Sequence, residues 1–129
     1  MSKKILIAED NKSLRNVLTD TFKDEGFEVK AAEDGAIALE TAKEGMPDVL
    51  LLDILMPNMD GQEMLTQLRE VPGGDNVIVI VLTNSDTSDK VLDFMNLGVS
   101  DYLTKADWQL EDIVTRVKER LGIKENSGE

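Results

Sequence analysis

The sequence predicts an α/β domain: a doubly wound, five-stranded parallel sheet with five helices laid on its two faces. Two observations predict it. Strand-like and helix-like stretches alternate five times along the chain, and no hairpin signal joins one strand to the next. The strand candidates are short apolar runs bounded by turn residues, as strands covered on both faces are. Four of them end in polar residues, at the carboxyl edge where ligands collect in open α/β sheets.

Taken in order, residues 4–8 form the first strand, which ends at Glu9 and Asp10. From 11 to 25, Leu14, Val17, Leu18 and Phe22 recur at helical spacing, and Gly26 stops the helix. Residues 27–31 read as a second, more polar strand, which suits a sheet edge. Asp34 is the expected N-cap of a second helix that carries Ile37, Leu39 and Ala42 and stops at Gly45. The central strand is the run Val49, Leu50, Leu51, Leu52, and it ends in the carboxylate of Asp53. Met56 and Pro57 then prevent further regular structure, while Asp60 and Gly61 supply turn chemistry. A third helix over 61–70 carries Met64, Leu65 and Leu68, and 71–75 reads as a plain loop.

The β-branched run 77–82 is the fourth strand and leads into Thr83. Its helix is expected to be capped near Asp86, to turn Val91, Leu92 and Met95 inward, and to stop at Gly98. Phe94 and Leu97 fall beside that stripe, where core packing outweighs a partner surface as their reading. The last strand, 99–104, carries Tyr102 and ends at Lys105. Asp107 is expected to cap a fifth helix whose buried stripe is Leu110, Ile113, Val114, Val117 and Leu121. The reading is one domain over 1–123 with a polar, frayed tail over 124–129.

Composition removes whole classes of chemistry. A chain of 129 residues can bury a real core without staples. With no cysteine and no histidine, it has no disulfides, no thiolate or imidazole metal site, no serine–histidine triad and no phosphohistidine of its own. Lys and Arg total 14 against 26 Asp and Glu, a net charge of −12 that disfavours a nucleic-acid surface and suits a carboxylate pocket for a divalent cation. No apolar run approaches membrane-spanning length, and the first residues lack a signal-peptide pattern, so the expected location is cytoplasmic.

The polar strand ends, Glu9 and Asp10, Asp53, Thr83 and Lys105, are expected to share one edge near the point where strand order reverses. Converging carboxylates repel: a pair of unit charges about 4 Å apart costs about 4 kcal/mol at an effective dielectric near 20. Lys105 offers one counter-charge. A cation held by hard oxygen ligands offers another, and Mg²⁺ or Mn²⁺ suits that ligand set.

Glu9-Asp10, then Asp53 with Met56-Pro57 and Asp60-Gly61, then Thr83, Tyr102 and Lys105 follow one another in a familiar order. In this the chain resembles the receiver domain of two-component response regulators, over roughly residues 3–121, and in size it is similar to the single-domain chemotaxis-type members. The resemblance implies the flavodoxin-like strand order 2-1-3-4-5. It implies that Asp53 accepts a phosphoryl group from a phosphohistidine on a sensor histidine kinase or a histidine phosphotransfer protein. Asp10 and Asp53 would then bind Mg²⁺ directly, Glu9 chiefly through water, and the Leu55 backbone carbonyl would complete the set. Thr83 and Lys105 would hold the phosphoryl oxygens. Thr83 and Tyr102 would act as the switch that remodels the face of the fourth helix, fifth strand and fifth helix for a downstream protein target.

The same resemblance makes the chain a signalling phosphoprotein rather than an enzyme with a separate substrate. A monomer or weak dimer is expected, and the charge and hydropathy above predict no direct contact to nucleic acid or membrane. A phosphorelay intermediate that passes the group onward is the alternative. Two positions depart from the family pattern. Asn84 stands where a very small residue is usual, over the phosphorylation site, and Ala106 stands where proline is usual. A cis bond before a non-proline residue costs about 2.5–4 kcal/mol, so a trans Lys105–Ala106 bond is expected. Both positions would modulate the site.

Other classes fit less well. Phosphatases that form an aspartyl-phosphate carry a second Asp two positions after the nucleophile, where this chain has Leu55. A flavodoxin-like electron carrier would find Glu9-Asp10 where its cofactor phosphate should sit. The P-loop pattern is absent.

Overall fold

Five parallel strands build one sheet: β1 (Lys4–Ala8), β2 (Glu28–Ala32), β3 (Val49–Asp53), β4 (Ile78–Thr83) and β5 (Asp101–Thr104), in the order β2-β1-β3-β4-β5. Between them run α1 (Lys12–Asp24), α2 (Gly35–Glu44), α3 (Gly61–Glu70), α4 (Ser88–Asn96) and α5 (Leu110–Leu121). This computed structural model describes residues 2–83, 88–105 and 108–123. Asn84, Asp86, Ala106, Asp107 and the 124–129 tail lie outside the described residues, as does the Lys105–Ala106 bond. None of the described helices is long and apolar enough to cross a membrane.

The sheet is apolar on both faces because successive strand residues point to opposite sides. Leu6, Ala8, Leu50, Leu52, Val79 and Val81 join one core with Ala38 and Leu39 of α2, Met64, Leu65 and Leu68 of α3, and Phe94 of α4. Ile5, Ile7, Val49, Leu51, Ile80 and Leu82 join the other with Leu18 and Phe22 of α1 and Ile113, Val114 and Val117 of α5. Strand β2 is the polar edge that its composition predicts.

The predicted cap of the second helix holds: Asp34 accepts from the Ile37 N–H at 2.8 Å. Asn11 and Asp60 cap α1 and α3 in the same way, accepting from the Leu14 and Glu63 N–H groups at 2.9 Å. The fifth helix starts later than expected, with Gln109 rather than Asp107 at its N-cap; the Gln109 N–H donates to the Asp112 carboxylate at 3.0 Å. The loop after α3 is not plain. It holds a short 3-10 helix, Gly74–Asn76, in which a Cβ on Gly74 would stand 1.8 Å from the Leu68 carbonyl oxygen.

Two helices face the core differently from the expectation. In α1 Val17 is exposed, one residue off the stripe of Leu18 and Phe22. In α4 the correction is larger. Phe94 is fully buried, with its ring centroid 6.0 Å from that of Tyr102, and Leu97 packs on the same core. Leu92 is 70% exposed and Met95 48% exposed. Leu92 lies two residues from Phe94, about 200° around the helix, so the two cannot both face the sheet. The bulkier aromatic takes the inward position, and an apolar pair is left outside.

That assignment is testable by truncation. Phe94→Ala should cost about 3–5 kcal/mol of unfolding free energy, whereas Leu92→Ala should stay within about 0.5 kcal/mol of the parent. Urea unfolding of both variants measures the difference, and equal losses would place Leu92 in the core.

Candidate functional site

Strand order reverses between β1 and β3, which opens a crevice at their carboxyl ends. Ala8 pairs with Leu52, so the next residues, Glu9 and Asp53, stand side by side. Asp53 pairs with Leu82, and Thr83 with Thr104, so Thr83 and Lys105 each lie one step past these rungs. Register alone thus gathers the expected residues. Alternation sorts them further. Glu9, Asp53 and Lys105 continue the parity of Ile7, Leu51 and Leu103, on the α1/α5 side. Thr83 continues that of Val81, and Tyr102 packs with Val81 on the opposite side, against Phe94.

Glu9, Asp10 and Asp53 offer carboxylate oxygens that all lie within 4.8 Å of one another. Glu9, Asp53 and Thr83 are buried and Asp10 is exposed. The Lys105 ammonium sits 2.6 Å from the Glu9 carboxylate and 3.6 Å from that of Asp53. It is a closer partner to Glu9 than to the central acid. Burial first, then the charge of Glu9, push the Asp53 carboxyl up from its ordinary 3.8 to about 7; Asp10 adds to the rise and Lys105 opposes it. A buried acid cluster whose central carboxyl is pushed up to about 7 is compatible with a divalent cation, and its hard oxygen donors suit Mg²⁺.

The supporting residues were less visible in the sequence. The Arg15 guanidinium, one turn into α1, donates to the Glu9 carbonyl at 2.9 Å and the Asp10 carbonyl at 3.4 Å. The Asn11 N–H donates to the Glu9 carboxylate at 3.1 Å. The Lys105 N–H donates to the Thr83 carbonyl at 2.7 Å, which ties the last two strand ends together. Gly61 makes room at the site, since a Cβ there would come within 2.4 Å of the Asp53 carbonyl oxygen. Leu55, whose carbonyl is a candidate ligand, lies in the loop after β3 with its side chain exposed. Asn84 and Ala106, expected to modulate the site, lie outside the described residues.

Comparisons agree with this geometry. Residues 5–118 match the model of the response regulator receiver domain family. The chain is 36% identical over 121 residues to response regulator MprA of Mycobacterium ulcerans (strain Agy99), covering 94% of this chain and 51% of that protein. It thus spans about half the length of the curated relatives it matches. Among solved structures, a CheY-like receiver domain protein from Methanospirillum hungatei JF-1 superposes with a TM-score of 0.86 at 25% identity, covering 95% of each chain. Chemotaxis protein CheY4 of Vibrio cholerae gives a TM-score of 0.85 at 27% identity, covering 92% of this chain and 98% of that one. The likeness is therefore to the domain, and it is shared by solved chains of similar length and by chains about twice as long.

The acid cluster sets a pH dependence. Asp53 binds its proton more tightly when folded than when unfolded, so between about pH 4 and pH 7 the folded state carries the extra proton. The stability associated with Asp53 is full below its unfolded value and is lost as pH rises through its folded one. Without divalent cations, wild-type stability should fall across that window relative to Asp53→Asn, which has no such proton. Urea unfolding at stepped pH checks this, and parallel curves for the two proteins would contradict it.

Proposed function

The chain belongs to the response regulator receiver domain family, and on that premise we propose that Asp53 is its phosphoacceptor. The carrying observation is the buried Asp53 carboxylate within 4.8 Å of two other acids and 3.6 Å from an ammonium. A carboxylate needs no general base to act as a nucleophile, which suits a chain without histidine. As the phosphorus–nitrogen bond of a donor phosphohistidine breaks, a phosphorus–oxygen bond forms to Asp53. The donor is a sensor histidine kinase or a histidine phosphotransfer protein.

The residues that would hold Mg²⁺ are Asp10, Asp53, Glu9 and the Leu55 carbonyl. The bound ion would supply positive charge for the phosphoryl oxygens and favour ionised Asp53. Lys105, which lies near both Glu9 and Asp53, would transfer its hydrogen bonding to a phosphoryl oxygen, and the Thr83 hydroxyl would take another. Phosphoryl transfer spreads charge over equatorial oxygens, so positioned donors of this kind do most of the catalytic work. Leu55 stands where an aspartyl-phosphate phosphatase carries its second Asp, which supports a persistent acyl phosphate and a signalling role rather than turnover of a separate substrate.

Output is assigned to the face of α4, β5 and α5. Thr83 and Tyr102 share one side of the sheet by strand parity, which supports a switch in which they move together. The exposed pair Leu92 and Met95 on α4 supports a protein target there. With a net charge of −12 the domain is a poor match for nucleic-acid phosphates, so we assign its own output, in the cytoplasm, to protein contacts. Relay of the phosphoryl group to a further histidine uses the same site in reverse.

Incubated with Mg²⁺ and acetyl phosphate, the protein should gain one phosphoryl group that is lost at alkaline pH. Lys105→Ala should slow the labelling by about 100-fold, as loss of one charged donor to a developing anion does. Asp53→Asn should take no label by intact mass spectrometry; full labelling of that variant would overturn the assignment.

A further inference from the structure

The loop between β3 and α3 carries Leu55 and is clamped onto a helix that contributes nothing to the acid cluster. The clamp starts at Asn58, which has a φ of 67°, and no other non-glycine residue among those described has a positive φ. Asparagine tolerates this left-handed conformation better than most residues. The Asn58 amide donates to Asp34 Oδ2 at 2.7 Å, while Asp34 Oδ1 accepts from the Ile37 N–H at 2.8 Å. Asp34 is buried, so both of its oxygens are committed in a place where an unmet one would be costly.

The next residue completes the clamp. The Gly35 N–H donates to the Met59 carbonyl at 3.0 Å, and a Cβ on Gly35 would stand 2.1 Å from that oxygen. The loop is also closed on itself, because the Gly61 N–H donates to the Ile54 carbonyl at 2.8 Å and Met59 to Pro57 at 2.7 Å. Leu55 therefore lies between a closure at Ile54 and a clamp at Asn58 and Met59. The chain on both sides of its backbone carbonyl is held.

We propose that Asp34, Gly35 and Asn58 form a latch of positioning residues that holds the loop of Leu55 in place and so sets the affinity of the acid cluster for Mg²⁺. This rests on the receiver-domain reading of the site. The latch acts as outer-shell partners of metal ligands do: it touches no ion but limits where a ligand can go. It also makes the N-terminus of α2 part of the metal site in an energetic sense, although it gives that site no ligand.

The decisive variant is Asn58→Gly, which keeps the left-handed backbone and removes only the amide. Mg²⁺ titration followed by calorimetry should show binding weaker than wild type by about tenfold, the low end for outer-shell changes. Asp34 needs a charge control. Asp34→Ser keeps the helix cap and removes the oxygen that Asn58 uses. Asp34→Asn removes the same charge but keeps a partner, because its amide can donate to Asn58 once the Asn58 amide turns over. Asp34→Ser should therefore bind Mg²⁺ more weakly than Asp34→Asn by a similar factor. Thermal melts without Mg²⁺ report any loss of stability separately.

A wild-type dissociation constant in Asn58→Gly, with or without a lower melting temperature, would make the clamp a structural staple and overturn the latch alone. Absence of saturable Mg²⁺ binding by the wild-type protein would instead overturn the reading on which the latch rests. The two failures are distinguished within one set of titrations.

Discussion

The constraint on which this domain turns is like charge held close in a poorly solvated crevice. Glu9, Asp10 and Asp53 lie within 4.8 Å of one another, and only Asp10 is exposed. At such distances each pair of ionised acids costs several kcal/mol, about 4 at an effective dielectric near 20. The protein relieves this in two ways. Lys105 makes a 2.6 Å ion pair with Glu9, and Asp53 retains its proton up to about pH 7. Neither response is complete, because Lys105 is 3.6 Å from Asp53 and is committed mainly to its neighbour. The unsatisfied remainder makes the cluster compatible with a bound cation.

A domain that concentrates repulsion at one end of its sheet must find stability at the other. The Arg69 guanidinium at the end of α3 donates to the carbonyls of Leu97, Gly74, Val77 and Gly98 at 2.7–3.1 Å. It joins the ends of α3 and α4 to the start of β4, and burial holds its pKa below the usual arginine value. Asp101, buried at the start of β5, is paired with Arg120 at 2.7 Å and Arg116 at 3.3 Å from α5. Charge-assisted bonds of this sort are the stronger kind. The amino ends of β4 and β5 are thus tied to the helices around them, while the carboxyl ends keep their unmet charge. Rigidity at one end lets the other hold an arrangement that would otherwise spread apart.

Much of this could be read from the chain. Alternation of apolar runs with helical spacing gave the strand count and the site residues, because each acid follows directly on a buried run such as Val49 to Leu52. Periodicity failed where two stripes competed. In α4, Val91, Leu92 and Met95 match helical spacing as well as Phe94 and Leu97 do, and only packing against Tyr102 decides between them. The supporting contacts were not legible either. Asn58 and Asp34 are 24 residues apart, and nothing in either position announces the other. Arg15 and Arg69 look like ordinary surface cations until tertiary structure brings free carbonyls to them. Sequence patterns report on burial and local turns; contacts between distant loops depend on the fold having formed.

Strand parity then bears on how a change at the acids reaches the surface. Glu9, Asp53 and Lys105 fall on one side of the sheet, whereas Thr83 and Tyr102 fall on the other. On the proposed reading, the chemistry on one side must be felt on the opposite side. On the same reading, the strand edge would supply the route. Thr83 is a buried strand-end residue whose carbonyl accepts from the Lys105 N–H at 2.7 Å, so the backbone that carries the ammonium is bonded to the backbone that carries the hydroxyl. A shift of Lys105 from Glu9 toward a new anion would pull on that bond. Any answering movement of Thr83 would be met next by Tyr102 and the buried ring of Phe94 at 6.0 Å, on the helix that exposes Leu92 and Met95. Packed interiors pass such shifts on rather than absorbing them, because little free volume exists to take them up. On that reading, the Lys105–Thr83 bond at one end and the Phe94–Tyr102 contact at the other would link the acids to the apolar pair on α4.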